Sequence, residues 1–188
     1  MSTKIFHGKT DIGLKRQNNE DAFLVSPEYD FCLAADGMGG AAAGEVASKI
    51  FAETALDVFS AQPNRSEKDT LYRVQKAYHT ANEKILEHIV ANPDHRGMGC
   101  TAELLAFYEN HFVLGHIGDS RTYRLRNGAL EQLTEDHTLV QQQLREGLIS
   151  IDEIKHHPMR HVIFRAVGIK EEMTIDLLQG KTQPADLF

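Results

Sequence analysis

The run Phe31-Cys-Leu-Ala-Ala35 is apolar without a break and closes on Asp36, followed by Gly37-Met38-Gly39-Gly40. Such a run predicts a strand buried on both faces. Ending it in an acid is an unusual demand on a fold, because an uncompensated buried charge is costly. Whatever this chain folds into must bring something positive to Asp36. The candidates are backbone N–H groups of the glycine turn, a nearby arginine, or a divalent cation with oxygen ligands. Taken alone, Asp36 fits the first of these, since Asp-Gly turns are common.

The rest of the pattern predicts strands, then helices, then strands. Lys4–Ile12 and Ala22–Ser26 precede the FCLAA strand. Ala42–Phe59 and Thr70–Val90 carry apolar residues at helical spacing, with a polar linker, Gln62–Asp69, between them. Strands resume at Thr101–Tyr108 and His111–Ile117, joined by a tight Glu109-Asn110 turn. Thr122–Arg126 and Ala129–Leu133 flank Asn127-Gly128, a strong hairpin signal because both residues tolerate positive φ. His137–Glu146 reads as a short helix, Ser150-x-x-Glu153 as a capping box that starts another turn before Pro158, and Thr174–Gln179 as a last strand. There is no repeat and no low-complexity tract. Grouped strands and helices predict an α+β fold with an antiparallel sheet; a doubly wound parallel fold would need regular alternation.

A length of 188 residues suits one domain. The net charge of −7 argues against nucleic acid as the main partner. Cys32 and Cys100 lie far apart with no metal-binding spacing and are expected as buried free thiols. No apolar run suggests a signal peptide or a membrane span, so a reducing cytoplasm is the expected location.

Asp36 is not alone. Asn19-Glu20-Asp21 stands immediately before a strand, and Gly118-Asp119-Ser120-Arg121 immediately after one. Acids at three strand ends shift the balance toward a metal. The rival for the glycine-rich stretch is a phosphate-cradling loop, since Gly39 and Gly44 have the required spacing. Glu45-Val46 then occupies the positions where Lys and Ser or Thr are needed, and an acid there would repel phosphate. A metal-assisted hydrolase fits better: two cations about 3.5–4 Å apart can share a carboxylate and lower the pKa of a water toward ~7. Arg16 can offer a planar fork to an anionic substrate, although alone it would read as a solvated surface arginine.

The segment Gly13-Leu-Lys-Arg16-Gln-Asn-Asn19-Glu20-Asp21 resembles the opening motif of the metal-dependent protein phosphatase 2C family. Asp36-Gly-Met-Gly-Gly40 with Gly44-Glu45 and Ala47-Ser48 resembles its second motif in bacterial form. Gly99-Cys-Thr101, Gly118-Asp119-Ser120-Arg121 with Tyr123, Leu133-Thr-Glu-Asp136-His137 and Arg165-Ala166-Val-Gly168 follow in the family's order. The resemblance implies a four-layer αββα fold, an antiparallel β-sandwich flanked by helices, over a single domain 1–188. It implies hydrolysis of phosphoserine and phosphothreonine in proteins, with two Mn²⁺ or Mg²⁺ ions and a possible third.

By the same resemblance Glu20 and Asp36 are metal ligands, Asp36 bridging both ions. The Gly37 carbonyl binds one ion, Asp21 lies beside the centre as a ligand or through waters, and Arg16 holds the substrate phosphate. Asp119 corresponds to a ligand of the third metal, or else is a turn-capping aspartate paired with Arg121. Met38 stands where other members often have histidine and cannot donate a proton; His137 is expected to be structural rather than its substitute. Two further family aspartates belong to motifs beyond Phe188. The domain is therefore expected to lack C-terminal elements, and full activity to belong to a longer parent. The implied partners are phosphorylated proteins, including a Ser/Thr kinase and its substrates, acted on by a cytoplasmic monomer. The alternatives are an inactive phosphatase-like binding or regulatory module and, disfavoured by the acidic balance, an unrelated two-metal nuclease.

Overall fold

The computed structural model describes residues 4–40, 43–61 and 66–188. Its elements, in chain order, are β1 (Asp21–Ser26), β2 (Phe31–Met38), α1 (Ala43–Ser60), α2 (Glu67–Ala91), a 3-10 turn (Pro93–His95), β3 (Gly99–Cys100), β4 (Ala102–Tyr108), β5 (His111–Ile117), β6 (Tyr123–Arg126), β7 (Ala129–Gln132), α3 (Leu139–Arg145), α4 (Ile151–Ile154) and β8 (Asp176–Lys181). The expected α+β class is observed. The main sheet has the order β1-β2-β4-β5-β8, with β3 continuing beside the end of β2, and every pairing is antiparallel. β6 and β7 form a separate hairpin. Its turn residues Asn127 and Gly128 sit at φ 51 and 80, as that sequence requires.

Both long helices lie on one face of the sheet. Phe51, Ala55 and Phe59 of α1 and Val74, Ala77, Tyr78, Ala81 and Ile85 of α2 pack against Phe31, Leu33 and Ala35 of β2 and Leu104, Ala106 and Val113 beyond them. Burying each large side chain contributes about 1.5–3 kcal/mol, so this face carries most of the stability. Ser66 caps α2 by accepting the Asp69 amide, and Glu67 and Asp69 complement the positive end of its dipole. On the opposite face a smaller cluster joins Leu105, Phe107, Phe112 and Leu114 to Phe6, Leu133, Leu178 and Phe188.

Three expectations need correction. Lys4–Ile12 is not a strand: it pairs with no neighbour, and it is held instead by Phe6 edge-on to Phe107 and by Lys4 bonded to Asp30. The FCLAA strand is not buried on both faces either. Phe31, Leu33 and Ala35 point into the core, whereas Cys32 is half-buried and Ala34 is exposed. The strands covered on both faces are β4 and β5. Cys100 is a buried free thiol as expected; Cys32 is free but half-buried, its thiol pushed up to about 11 by its surroundings. The Ala42 start of the first helix and residues 62–65 of the polar linker lie outside the described residues.

The first turn of α1 touches the end of β2 backbone to backbone. A Cβ on Gly44 would come within 2.7 Å of the Gly37 carbonyl carbon, and one on Gly37 within 2.1 Å of the Gly44 carbonyl oxygen. Main chain cannot swing aside as a side chain can. Gly44→Ala is therefore expected to destabilise the chain by about 1–3 kcal/mol, read from its urea midpoint. Gly40→Ala, whose added Cβ meets none of the described residues within 4 Å, is expected to leave the midpoint within about 0.5 kcal/mol.

Candidate metal and phosphate site

Pairing between β1 and β2 sets Asp21 directly opposite Asp36. Glu20 precedes that pair, and its carbonyl accepts both the Gly37 amide at 3.1 Å and the Ser48 hydroxyl at 2.6 Å. One backbone oxygen thus ties the start of β1 to the end of β2 and to α1. Asp36 is fixed through Thr101, whose hydroxyl accepts the Asp36 amide at 3.2 Å and whose amide donates to the Asp36 carbonyl at 2.9 Å. The same hydroxyl meets Ser120 Oγ at 2.6 Å. Asp119 and Asp36 therefore belong to two turns joined through one threonine.

Gly118 turns the chain out of β5 with φ 108, and His137 holds it on both sides. The His137 amide donates to the Gly118 carbonyl at 2.7 Å, and the Gly118 amide donates to His137 Nδ1 at 3.1 Å. An Nδ1 that accepts a hydrogen bond carries no proton, so this imidazole is neutral, and burial lowers its pKa accordingly. Its Nε2 faces Asp176 at 3.2 Å, which also pairs with Arg165 at 3.1 Å. His137 is a structural histidine, as expected.

The acids crowd one another at an open cleft of about 350 Å³ lined by Lys9, Asp21, Ala34, Asp36 and Ser120 among others. Burial, then repulsion from Asp21 and Asp119, pushes the Asp36 carboxyl up to about 6, and Arg16 pulls it part of the way back. Asp119 is also raised, by burial and by Asp136. The rival role for Asp119, pairing with Arg121, is filled by another residue: Arg121 forms a two-pronged pair with Asp136 at 2.7 and 2.6 Å. Arg16 is well exposed and reaches Glu20 at 3.8 Å.

The structure thus draws Asp21, Asp36 and Asp119 together and leaves Glu20 turned toward Arg16. Among the described residues, no group of three or more His, Cys, Asp or Glu side chains is already arranged around one point as a closed metal shell. The donor chemistry nevertheless fits hard divalent cations. The converging side-chain atoms are carboxylate oxygens, and the raised Asp36 marks a place short of positive charge.

Sequence reasoning missed the Thr101–Ser120 bridge and a buried polar pair behind it. Glu103 and His116 lie directly across β4 and β5, His116 Nδ1 against Glu103 Oε1, with Thr122 donating to the other carboxylate oxygen. His116 Nε2 contacts the Glu135 carbonyl at 2.8 Å, and the ring lies 4.5 Å from that of His137. The signal was available: a two-residue turn at Glu109-Asn110 forces position 103 opposite 116.

An antiparallel α+β sheet with acids at adjoining strand ends and an exposed arginine beside them is an arrangement that suits a metal-assisted phosphate-ester hydrolase. The family model for protein phosphatase 2C matches residues 14–158. The chain is 37% identical over 177 residues to the serine/threonine protein phosphatase PstP of Mycobacterium tuberculosis, covering 94% of this chain and 34% of that protein. It is 33% identical over 184 residues to the serine/threonine phosphatase stp of Listeria innocua, covering 95% of this chain and 72% of that one. A crystal structure of the PstP catalytic domain in complex with two manganese ions superposes with a TM-score of 0.83 at 35% identity, over 95% of this chain and 72% of that one. The chain belongs to the protein phosphatase 2C family. It spans about a third of the length of PstP.

Proposed function

We propose that residues 1–188 belong to one phosphatase domain, and that the protein carrying it hydrolyses phosphoserine and phosphothreonine in proteins with the help of Mn²⁺ or Mg²⁺. The observation that carries this reading is Asp36 set opposite Asp21 at an open cleft, within electrostatic reach of Asp119 and Arg16. Asp36, Asp21, Glu20, the Gly37 carbonyl and Asp119 would hold the cations. When bound, those cations supply a water acidic enough to attack phosphorus near neutral pH. Asp36 is the acid that feels the charge of both Asp21 and Asp119, which suits it to the role of shared ligand. Arg16 presents forked N–H donors to the phosphate oxygens and orients the ester for in-line attack. Water serves as the nucleophile, with no covalent intermediate on the protein.

Its substrates would be phosphorylated proteins, among them a Ser/Thr kinase and that kinase's own targets, in a cytoplasmic signalling role as a monomer. No described helix is long and apolar enough to cross a membrane. The test is phosphate release from a phosphothreonine peptide by the full-length protein, with Mn²⁺ and with EDTA. Release that needs Mn²⁺ and stops on chelation is expected. Undiminished release in EDTA, or none at any Mn²⁺ concentration, would sink the proposal.

A further inference from the structure

The hydrogen bonds behind Asp36 run in one direction and end at the cleft. Thr101, the residue between β3 and β4, is buried, and its hydroxyl makes two contacts. It accepts the Asp36 amide at 3.2 Å and meets Ser120 Oγ at 2.6 Å. Gly118 packs hard against the same side chain: a Cβ there would come within 2.5 Å of the Thr101 Cβ.

Each hydroxyl carries one proton. The Asp36 amide brings its own proton to a Thr101 lone pair, so the Thr101 proton still needs an acceptor. Among the described residues, Ser120 Oγ is the acceptor it reaches. The opposite direction would bury the Thr101 proton with nothing to receive it, a costly arrangement. Thr101 therefore donates and Ser120 accepts. That leaves the Ser120 proton unused. Ser120 is half-buried, lines the cleft with Asp21 and Asp36, and makes no other side-chain hydrogen bond among the described residues.

We infer that the Ser120 hydroxyl is a phosphate-binding donor, giving its proton to an oxygen of the substrate's phosphoryl group. This rests on the phosphatase reading above and adds a residue to it. The chemistry of the cleft selects the ligand. Asp21 and Asp36 line it with acceptors, and phosphoryl oxygens also only accept, so a phosphate held there is short of N–H and O–H donors. Arg16 supplies them from its exposed position, and Ser120 supplies one from the wall that carries Asp36. Accepting the Thr101 proton polarises the Ser120 O–H and makes it a stronger donor. Because the relay begins at the Asp36 amide, that donor is held in register with the Asp36 carboxylate.

The experiment measures orthophosphate binding to the full-length protein in saturating Mn²⁺ by calorimetry, beside KM and kcat for a phosphothreonine peptide. Ser120→Ala is expected to raise the orthophosphate dissociation constant and the peptide KM about tenfold each, the effect of one hydrogen bond to a charged group, with kcat kept within about threefold. Mn²⁺ affinity should stay unchanged, whereas a merely structural role, loosening the turn that carries Asp119, would lower it as well. Ser120→Thr keeps the donor and should bring both constants back toward those of the unsubstituted protein. If Ser120→Ala does not fold, Ser120→Cys serves in its place, since a thiol fills the position but donates weakly. Orthophosphate binding that is unchanged by loss of the hydroxyl, falls only in step with Mn²⁺ affinity, or is absent from the unsubstituted protein overturns the assignment. Orthophosphate bound through Ser120 without peptide hydrolysis would support this contact and count against the phosphatase reading alone.

Discussion

Asp36→Asn is expected to lower Mn²⁺-dependent phosphate release by at least about 10³-fold while leaving the chain folded. The substitution keeps shape and volume but removes the charge at the centre of the acid cluster. A shared carboxylate supplies several kcal/mol of cation binding and transition-state stabilisation, and each 1.36 kcal/mol is tenfold in rate. Stability should move the other way. With no cation bound, Asp36 is crowded by Asp21 and Asp119, so removing one of three like charges relieves repulsion. The urea midpoint of Asp36→Asn in EDTA is therefore expected at or above that of the unsubstituted chain. Lost activity with retained stability separates a role in chemistry from a role in folding. Activity within tenfold of the original would refute the placement of Asp36 at the reaction centre.

Both the acids and their positions at strand ends were readable from residue order. Apolar runs bounded by polar turns locate β1, β2, β4 and β5, and an acid just outside such a run must fall at a sheet end. That these ends adjoin was not readable from local pattern, because it depends on which strands pair. Asp21 meets Asp36 through the β1–β2 register, and Asp119 joins them only because β4, leading from Thr101, pairs with both β2 and β5. The motif resemblance supplied that long-range information. It did not supply side-chain orientation: Glu20 faces Arg16 rather than Asp36, and Arg121 serves Asp136 rather than Asp119.

The errors have equally local causes. FCLAA has the composition of a strand covered on both faces, but composition records what a strand tolerates, not what covers it. Ala34 lines the open cleft, and a small methyl group is cheap to expose. Lys4–Ile12 alternates well enough for a strand, but Ile5 is largely exposed, and Phe6 and Lys4 reach Phe107 without any strand pairing. Periodicity identifies a possible strand; an available edge decides whether one forms.

Breaking the buried Glu103–His116 pair should have the largest effect on stability. Glu103→Ala is expected to cost about 3–5 kcal/mol at pH 6, measured by urea unfolding, because it leaves a buried histidine without its anion and Thr122 without its acceptor. The proton state follows from the contacts. His116 Nε2 faces a carbonyl and Nδ1 faces a carboxylate, so both nitrogens have acceptors and the imidazolium is the form that satisfies them. Burial opposes that charge, but hydrogen bonding and attraction from Glu103 outweigh it and raise the His116 pKa above its ordinary value. The folded state then binds a proton that the unfolded state releases above pH ~6.5, so this contribution is complete below that pH and fades as pH rises through the folded-state pKa. Glu103 is itself raised by burial, which gives the same sign. The stability gap between the unsubstituted chain and Glu103→Ala should therefore narrow from pH 6 to pH 9. Replacing both groups, as Glu103→Gln with His116→Phe, should flatten the dependence of stability on pH, since neither side chain then titrates. A gap that stayed constant or widened with pH would mean the folded pair binds no more protons than the unfolded chain, and would refute the raised His116 pKa.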